Sequence, residues 1–158
     1  NFGFYGSRLS VTPSSNGKMS EYHAAVALAE LDNWSTKREK FLHIICLYRE
    51  AAHDDSCDLH LILYPRTDFS YPLLLCVDEA ESLRVQGALA RQQIGFRLWY
   101  GSGMLTHPHY RNSPCDDLSV SSSLANRLIG LPMFCDLTSQ QVTRISRTIA
   151  DTLQAQAP

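Results

Sequence analysis

The chain has 158 residues, 44% of them hydrophobic and 19% charged, and its 14 basic and 16 acidic side chains leave a formal net charge of −2. That is one globular domain's worth of chain, and with no basic run to steer a phosphate backbone, nucleic acid is not an expected partner. Apolar runs such as Leu59 to Tyr64, with His60 inside it, fall far short of the roughly 20 residues that cross a bilayer, so no membrane span is expected.

In chain order, Ser15-Asn16-Gly17-Lys18 reads as a turn, because Gly tolerates positive φ and Asn bonds its own backbone. Ser20 reads as the start of a first helix, in which Ala24, Ala25, Leu28 and Leu31 recur at helical spacing. Small residues let another backbone approach, so this helix is expected to be packed. Ser35 is placed to cap a second helix over Thr36 to Ala52, with Phe41, Ile44, Ile45 and Tyr48 toward the core. Its Lys37-Arg38-Glu39-Lys40 cluster reads as a solvated helix start.

Leu59 to Tyr64 and Tyr71 to Val77 read as strands of an antiparallel hairpin. Asp78 and Glu81 have capping-box spacing for a helix to about Gln93, with Leu83, Gly87, Leu89 and Ala90 available for packing and Gly95 as the stop. Phe96 to Tyr100 reads as a strand, Gly101 to Pro114 as a long loop, and Leu118 to Ile129 as a helix. Leu131 to Phe134 reads as a short strand, and Thr138 with Gln141 caps a last helix to about Leu153. The order α-α-β-β-α-β-α-β-α predicts an α+β fold with a small mixed or antiparallel sheet and flanking helices. The whole chain, 1–158, is expected to be one domain, with an entry segment at 1–18, long helices at 19–53 and an α/β part at 59–154.

Five scattered cysteines, Cys46, Cys57, Cys76, Cys115 and Cys135, with no Cys-x-x-Cys pair, point to a reducing cytoplasm. His107 and His109 with Cys115 nearby lack the further ligands a zinc site requires, so no metal is expected. Ser20 with His23 is not a nucleophile pair, since no third member or oxyanion donor can be named. No catalytic residue is assigned to this chain.

The turn and first helix, through Asn16, Lys18, Met19, Ser20, Glu21, Ala24, Ala25, Leu28, Leu31 and Asp32, resemble a motif of the DegT/DnrJ/EryC1/StrS family of pyridoxal-phosphate-dependent sugar aminotransferases. Two further stretches fit in order: Trp99, Tyr100, Pro108 and Tyr110, with Leu105 where many members carry a histidine, and Ala125-Asn126-Arg127-Leu128 through Leu131-Pro132 to Thr138, read as structural. The resemblance covers essentially the whole chain but only the C-terminal part of the family's length. It implies the small C-terminal domain of a fold-type I aminotransferase. Because the chain begins at Asn1, inside a stretch resembling a family segment, it is expected to be a piece of a longer protein.

A pyridoxal enzyme needs a lysine to hold the cofactor covalently and a carboxylate to keep its ring nitrogen protonated, so that the ring can act as electron sink. In the family both precede the matched region, and the three lysines here, Lys18, Lys37 and Lys40, lack the required context. This chain alone is therefore expected neither to transaminate nor to hold pyridoxal phosphate tightly. The resemblance implies that Asn16 contacts the cofactor phosphate of the neighbouring subunit in a homodimer, with Lys18 adding positive potential, and that Trp99 and Tyr100 meet the substrate. By itself Asn16 is also what a turn requires, and Trp99 and Tyr100 are also what a core or rim requires. The implied reaction moves an amino group from an amino-acid donor to a keto nucleotide sugar in surface-polysaccharide or secondary-metabolite biosynthesis. The alternative is a non-catalytic binding or assembly module that keeps the small-domain fold.

Overall fold

The computed structural model describes residues 17, 19–53, 59–63, 71–98, 103, 107–108 and 110–155. Among these described residues nine elements follow in the expected order: α1 (Glu21–Asp32), α2 (Trp34–Ala52), β1 (Leu61–Ile62), β2 (Leu73–Leu75), α3 (Glu79–Arg91), β3 (Arg97–Leu98), α4 (Ser119–Leu124), β4 (Leu128–Gly130) and α5 (Ser139–Gln154). The chain divides into two compact units, Asn1–Thr36 and Lys37–Pro158.

In the first unit Ser20 caps α1 as expected, its side chain accepting a hydrogen bond from the His23 amide. At the other end the Asn33 side-chain amide donates to the Ala29 carbonyl at 2.9 Å and closes the helix. The expectation of a packed helix is not met, for α1 buries none of its residues. Apolar side chains lie on every side of it, so no single stripe is available to set against a core. Ser35 is not a cap either. Asn33 already ends α1 and α2 begins at Trp34, which leaves Ser35 inside the second helix.

The second unit is built on a four-stranded sheet of order β1-β2-β4-β3, and every pairing is antiparallel. The expected hairpin is present as β1 against β2, with Leu61 opposite Leu74. Side chains alternate across a strand, so Leu74 and Ile129, paired in register, enter the core together at 2% and 0% exposure. From α2 the expected face arrives, with Ile44, Ile45 and Tyr48 buried and Ala52 completing it. From α5 come Val142, Ile145 and Ile149, and α3 adds Val85 and Leu89. The caps read from sequence hold these helices, although at α3 Glu81 reaches back to the amide before the cap rather than to that of Asp78 itself. Asp78 Oδ1 accepts from the Glu81 amide at 2.7 Å, and Glu81 Oε1 accepts from the Val77 amide at 3.0 Å. Thr138 and Gln141 cap α5 reciprocally.

Three expectations fail here for identifiable reasons. The helix expected through Ile129 stops at Leu124, because Asn126 takes a left-handed backbone (φ 64°) that no helix continues. Residues 128–130 then form β4, an inner strand of the sheet. Leu131 to Phe134 is not a strand: Leu131 still donates to the Pro72 carbonyl at 2.9 Å, but Pro132 has no N–H with which to extend the ladder. On α3 the buried face is rotated, with Leu83 and Ala90 exposed and Ser82, Val85, Ala88 and Leu89 inside. Ser82 is tolerated there because its hydroxyl accepts from Gln86 Nε2 at 3.0 Å.

Tyr48 ties α2 to the segment after β4, its fully buried hydroxyl donating to the Pro132 carbonyl at 2.9 Å. Burial pushes this phenol above its ordinary value. Removing the hydroxyl leaves that carbonyl without its donor, so Tyr48→Phe should lower stability by about 1–2 kcal/mol. A melting temperature lowered by about 2–8 °C is the expected readout, and an unchanged one would show that the bond contributes nothing. Cys76 is also buried, and burial with the nearby Glu81 charge raises its thiol to about 11. It stays protonated until well above the ordinary thiol range, whereas Cys46 and Cys115 are exposed. Iodoacetamide on the native protein at about pH 8 should label Cys46 and Cys115 and spare Cys76. Mass spectrometry of the labelled peptides reads the outcome, and equal labelling of Cys76 would contradict its burial.

Candidate functional site

All four residues that the sequence resemblance implies for cofactor and substrate, Asn16, Lys18, Trp99 and Tyr100, lie outside the described residues. So do Leu105 and His109. What the structure shows is the framework on either side of them.

Around the turn, Gly17, Met19 and Ser20 are exposed, and a side chain built at Gly17 would meet nothing within 4 Å. The head of α1 is thus open and polar. Ser20 Oγ accepts from the His23 amide at 3.3 Å and lies 2.7 Å from His23 Nδ1, while the Tyr22 and His23 rings meet edge to face with centroids 5.8 Å apart. The serine and histidine are in contact, but the serine serves the helix end. Among the described residues no carboxylate is recorded on His23 that would complete a triad.

After the loop that follows β3, the chain is fastened by two charged side chains. Asp117 accepts from both the amide (2.9 Å) and the hydroxyl (2.8 Å) of Ser119, and these bonds hold its carboxyl below the usual carboxylate range. Arg127 donates to the Cys76 carbonyl at 2.9 Å and to the Ser123 carbonyl at 2.9 Å, while the Cys76 amide donates back to the Arg127 carbonyl at 3.0 Å. One guanidinium therefore joins the end of α4 to the strand–helix corner after β2, which agrees with the structural role read for that motif. His107, Pro108 and Tyr110 are exposed or in turns. No group of three or more metal-ligating side chains occurs among the described residues.

Among the described residues of the second unit, grooves open in two places described below. One, of about 470 Å³, runs along α5 and is polar, with Thr143, Arg144, Arg147 and Asp151 on its wall. Arg144 is already engaged there, donating to the Gln92 carbonyl at 2.7 Å, where a cation complements the C-terminus of α3. The other, of about 410 Å³, lies where β3 meets β4 and is walled by Tyr71, Phe96, Arg97, Met133 and Phe134. Sequence spacing gives no sign of this second groove, because its walls come from three separate stretches that only the sheet brings together.

Neither groove contains a lysine. Lys40 lies 3.8 Å from Asp136 with its side chain 52% exposed, unlike a lysine enclosed to hold a cofactor. The described lysines are Lys37 and Lys40, and neither lines either groove. Among the described residues no helix is long and apolar enough to cross a membrane.

The chain is 26% identical to the dTDP-4-amino-4,6-dideoxy-D-glucose transaminase of Escherichia coli over 94% of its own length and 42% of that protein. It is 22% identical to protein Rv3402c of Mycobacterium tuberculosis over 96% of its length and 37% of that protein. It thus spans about two fifths of the length of the curated relatives it matches. Among solved structures, a candidate PLP-dependent aminotransferase of Bacillus cereus superposes with a TM-score of 0.81 at 25% identity, over 94% of this chain and 41% of that one. The family model for DegT/DnrJ/EryC1/StrS aminotransferases matches residues 3–150. With nearly the whole sequence matched and the small antiparallel sheet with flanking helices shared, the chain belongs to the DegT/DnrJ/EryC1/StrS aminotransferase family.

Proposed function

We propose that these residues form the C-terminal domain of a nucleotide-sugar aminotransferase. As a complete enzyme it would move an amino group from an amino-acid donor to a keto sugar, in the cytoplasm, for surface-polysaccharide or secondary-metabolite biosynthesis. The family match over residues 3–150 carries this reading, and the sugar transaminase of E. coli that aligns with 94% of the chain supports its substrate class. The first helix supports its assembly. Met19, Tyr22, Leu28 and Leu31 on and beside α1 are 60–75% exposed, and a helix apolar on all sides is one that larger structures cover. We assign that cover to the remainder of a complete enzyme and to its homodimer partner.

Pyridoxal phosphate, when bound to the complete enzyme, supplies the electron sink that amino transfer requires. The lysine that anchors it and the carboxylate that holds its ring come, in this reading, from outside the present sequence. This chain's contribution is positional. Asn16, a neutral amide donor in the turn before α1, bonds the cofactor phosphate across the subunit interface, and Lys18 adds positive potential there. Trp99 and Tyr100 bear on the substrate.

Two experiments test this. The 158-residue chain, incubated with pyridoxal phosphate, reduced with borohydride and digested, should carry no adduct at a single lysine; a specific adduct would place the anchor within this sequence. In the complete enzyme, Asn16→Ala should weaken cofactor binding by about 10- to 100-fold, the loss of one hydrogen bond to a charged group. The melting temperature of its cofactor-free form should stay unchanged. Unaltered affinity with a lowered melting temperature would make Asn16 a turn former only.

A further inference from the structure

We infer that Arg127 is a positioning residue for the keto-sugar half of the reaction: its guanidinium sets where the chain that carries Trp99 and Tyr100 comes back to the sheet. This rests on the function proposed above and adds to it a residue whose motif reads, from the sequence, as structural.

The returning stretch has no packing of its own. Residues 110–123 are all exposed, and α4, six residues long, buries none of its side chains. So short a helix does not hold itself in water without partners, and Leu118 at its start makes no side-chain cap. Asp117 holds that start through the amide and hydroxyl of Ser119, but both partners belong to the same stretch.

Arg127 ties the stretch to the rest of the unit. Its Nη1 donates to the Ser123 carbonyl at 2.9 Å, near the end of α4, and its Nε donates at 2.9 Å to the Cys76 carbonyl, 51 residues away in sequence at the corner between β2 and α3. Both acceptors are main-chain carbonyls, so backbone is fixed to backbone. Because a guanidinium presents its donors in a rigid planar fork, one side chain's geometry sets the spacing between α4 and that corner. The Arg127 carbonyl in turn accepts from the Cys76 amide at 3.0 Å, which anchors the residue by its own backbone while its side chain reaches across.

The other end of the excursion depends on the same place. Strand β4 begins directly after Arg127, and its Ile129 and Gly130 pair with Leu98 and Arg97 of β3. Trp99 is the next residue after Leu98. The sequence between β3 and β4, with the implied substrate residues Trp99 and Tyr100 in it, is thus bracketed by Leu98 and Arg127, and the pairing of Leu98 with Ile129 ties the two ends together. Arg127 is itself half-buried and lies outside the apolar core. Its loss therefore shifts the returning stretch more than it weakens the fold.

In a ping-pong transfer, kcat/KM for each substrate reports its own half of the reaction. In the complete enzyme, Arg127→Met keeps the apolar stem and removes both donors. It should lower kcat/KM for the keto nucleotide sugar by about tenfold or more, the scale of a small misplacement at a substrate contact, and leave that for the amino donor unchanged. Arg127→Lys keeps the charge without the fork; it should be impaired too, and it stands if the methionine variant folds poorly. Hydrogen exchange should quicken at residues 119–125 and stay unchanged in α5. The proposal is overturned if kcat/KM for the sugar is unchanged, if exchange at 119–125 is unchanged, or if lysine restores full activity, which would make the role one of charge. It is also overturned if both half-reactions fall equally together with the melting temperature, the mark of a structural role only. An active enzyme indifferent to Arg127 would sink the positioning alone, whereas a wild-type complete enzyme that aminates no keto nucleotide sugar would sink the functional reading and the proposal with it.

Discussion

Three residues, Leu128 to Gly130, accept neighbours on both sides, β2 on one edge and β3 on the other, and the second unit is assembled around that double pairing. Ile129 at its centre is fully buried. Immediately before it Arg127 exchanges hydrogen bonds with Cys76; just after it Leu131 donates to the Pro72 carbonyl, and Pro132 receives the Tyr48 hydroxyl. Six consecutive residues thus fasten β2, β3 and α2 together. The groove between β3 and β4 is a by-product of the same pairing, because its floor is Gly130 and its walls are the chain leaving β4 and entering β3.

Much of this framework is legible in the sequence, for reasons that can be named. Capping is local chemistry, so Thr138 with Gln141 and Asp78 with Glu81 announce their helices within four residues. The hairpin of β1 and β2 is announced by apolar runs bounded by proline. Strand β4 is not, because Leu118 to Ile129, read as one helix, carries no breaker that outranks helical continuation, and the left-handed turn at Asn126 is fixed by tertiary pairing on either side of β4. The face of α3 was likewise hidden. Sequence reading favours Leu83, whereas the structure buries Ser82, whose polarity is answered by Gln86 one turn away. As for the site, its family motif is written plainly around Asn16 and Trp99, but the groove is written nowhere, since Tyr71, Phe96 and Phe134 stand far apart in the chain and become one surface only through strand register.

The two units answer different physical demands. Residues 37–158 contain a continuous core drawn from three helices and the sheet. The helix of the first unit has no such resource. Twelve residues of helix in water are marginal without packing, and α1 buries none of its own. A helix of this composition is specified by what covers it, and its polar head is then presented wherever that cover places it. In the function proposed above, this would link a stretch of alanines and leucines to the position of Asn16.

The order in which the sheet is threaded also has a consequence for synthesis. Among the described strands the inner strand β4 is the last to be made, after both strands that flank it. Until residue 130 has emerged, only the β1–β2 hairpin can be paired, and a two-stranded hairpin is barely stable in water. A nascent chain on the ribosome therefore carries β3 without its sheet partner until residues 128–130 are made, and the inner face of α3 without α5 until residues 139–154 follow.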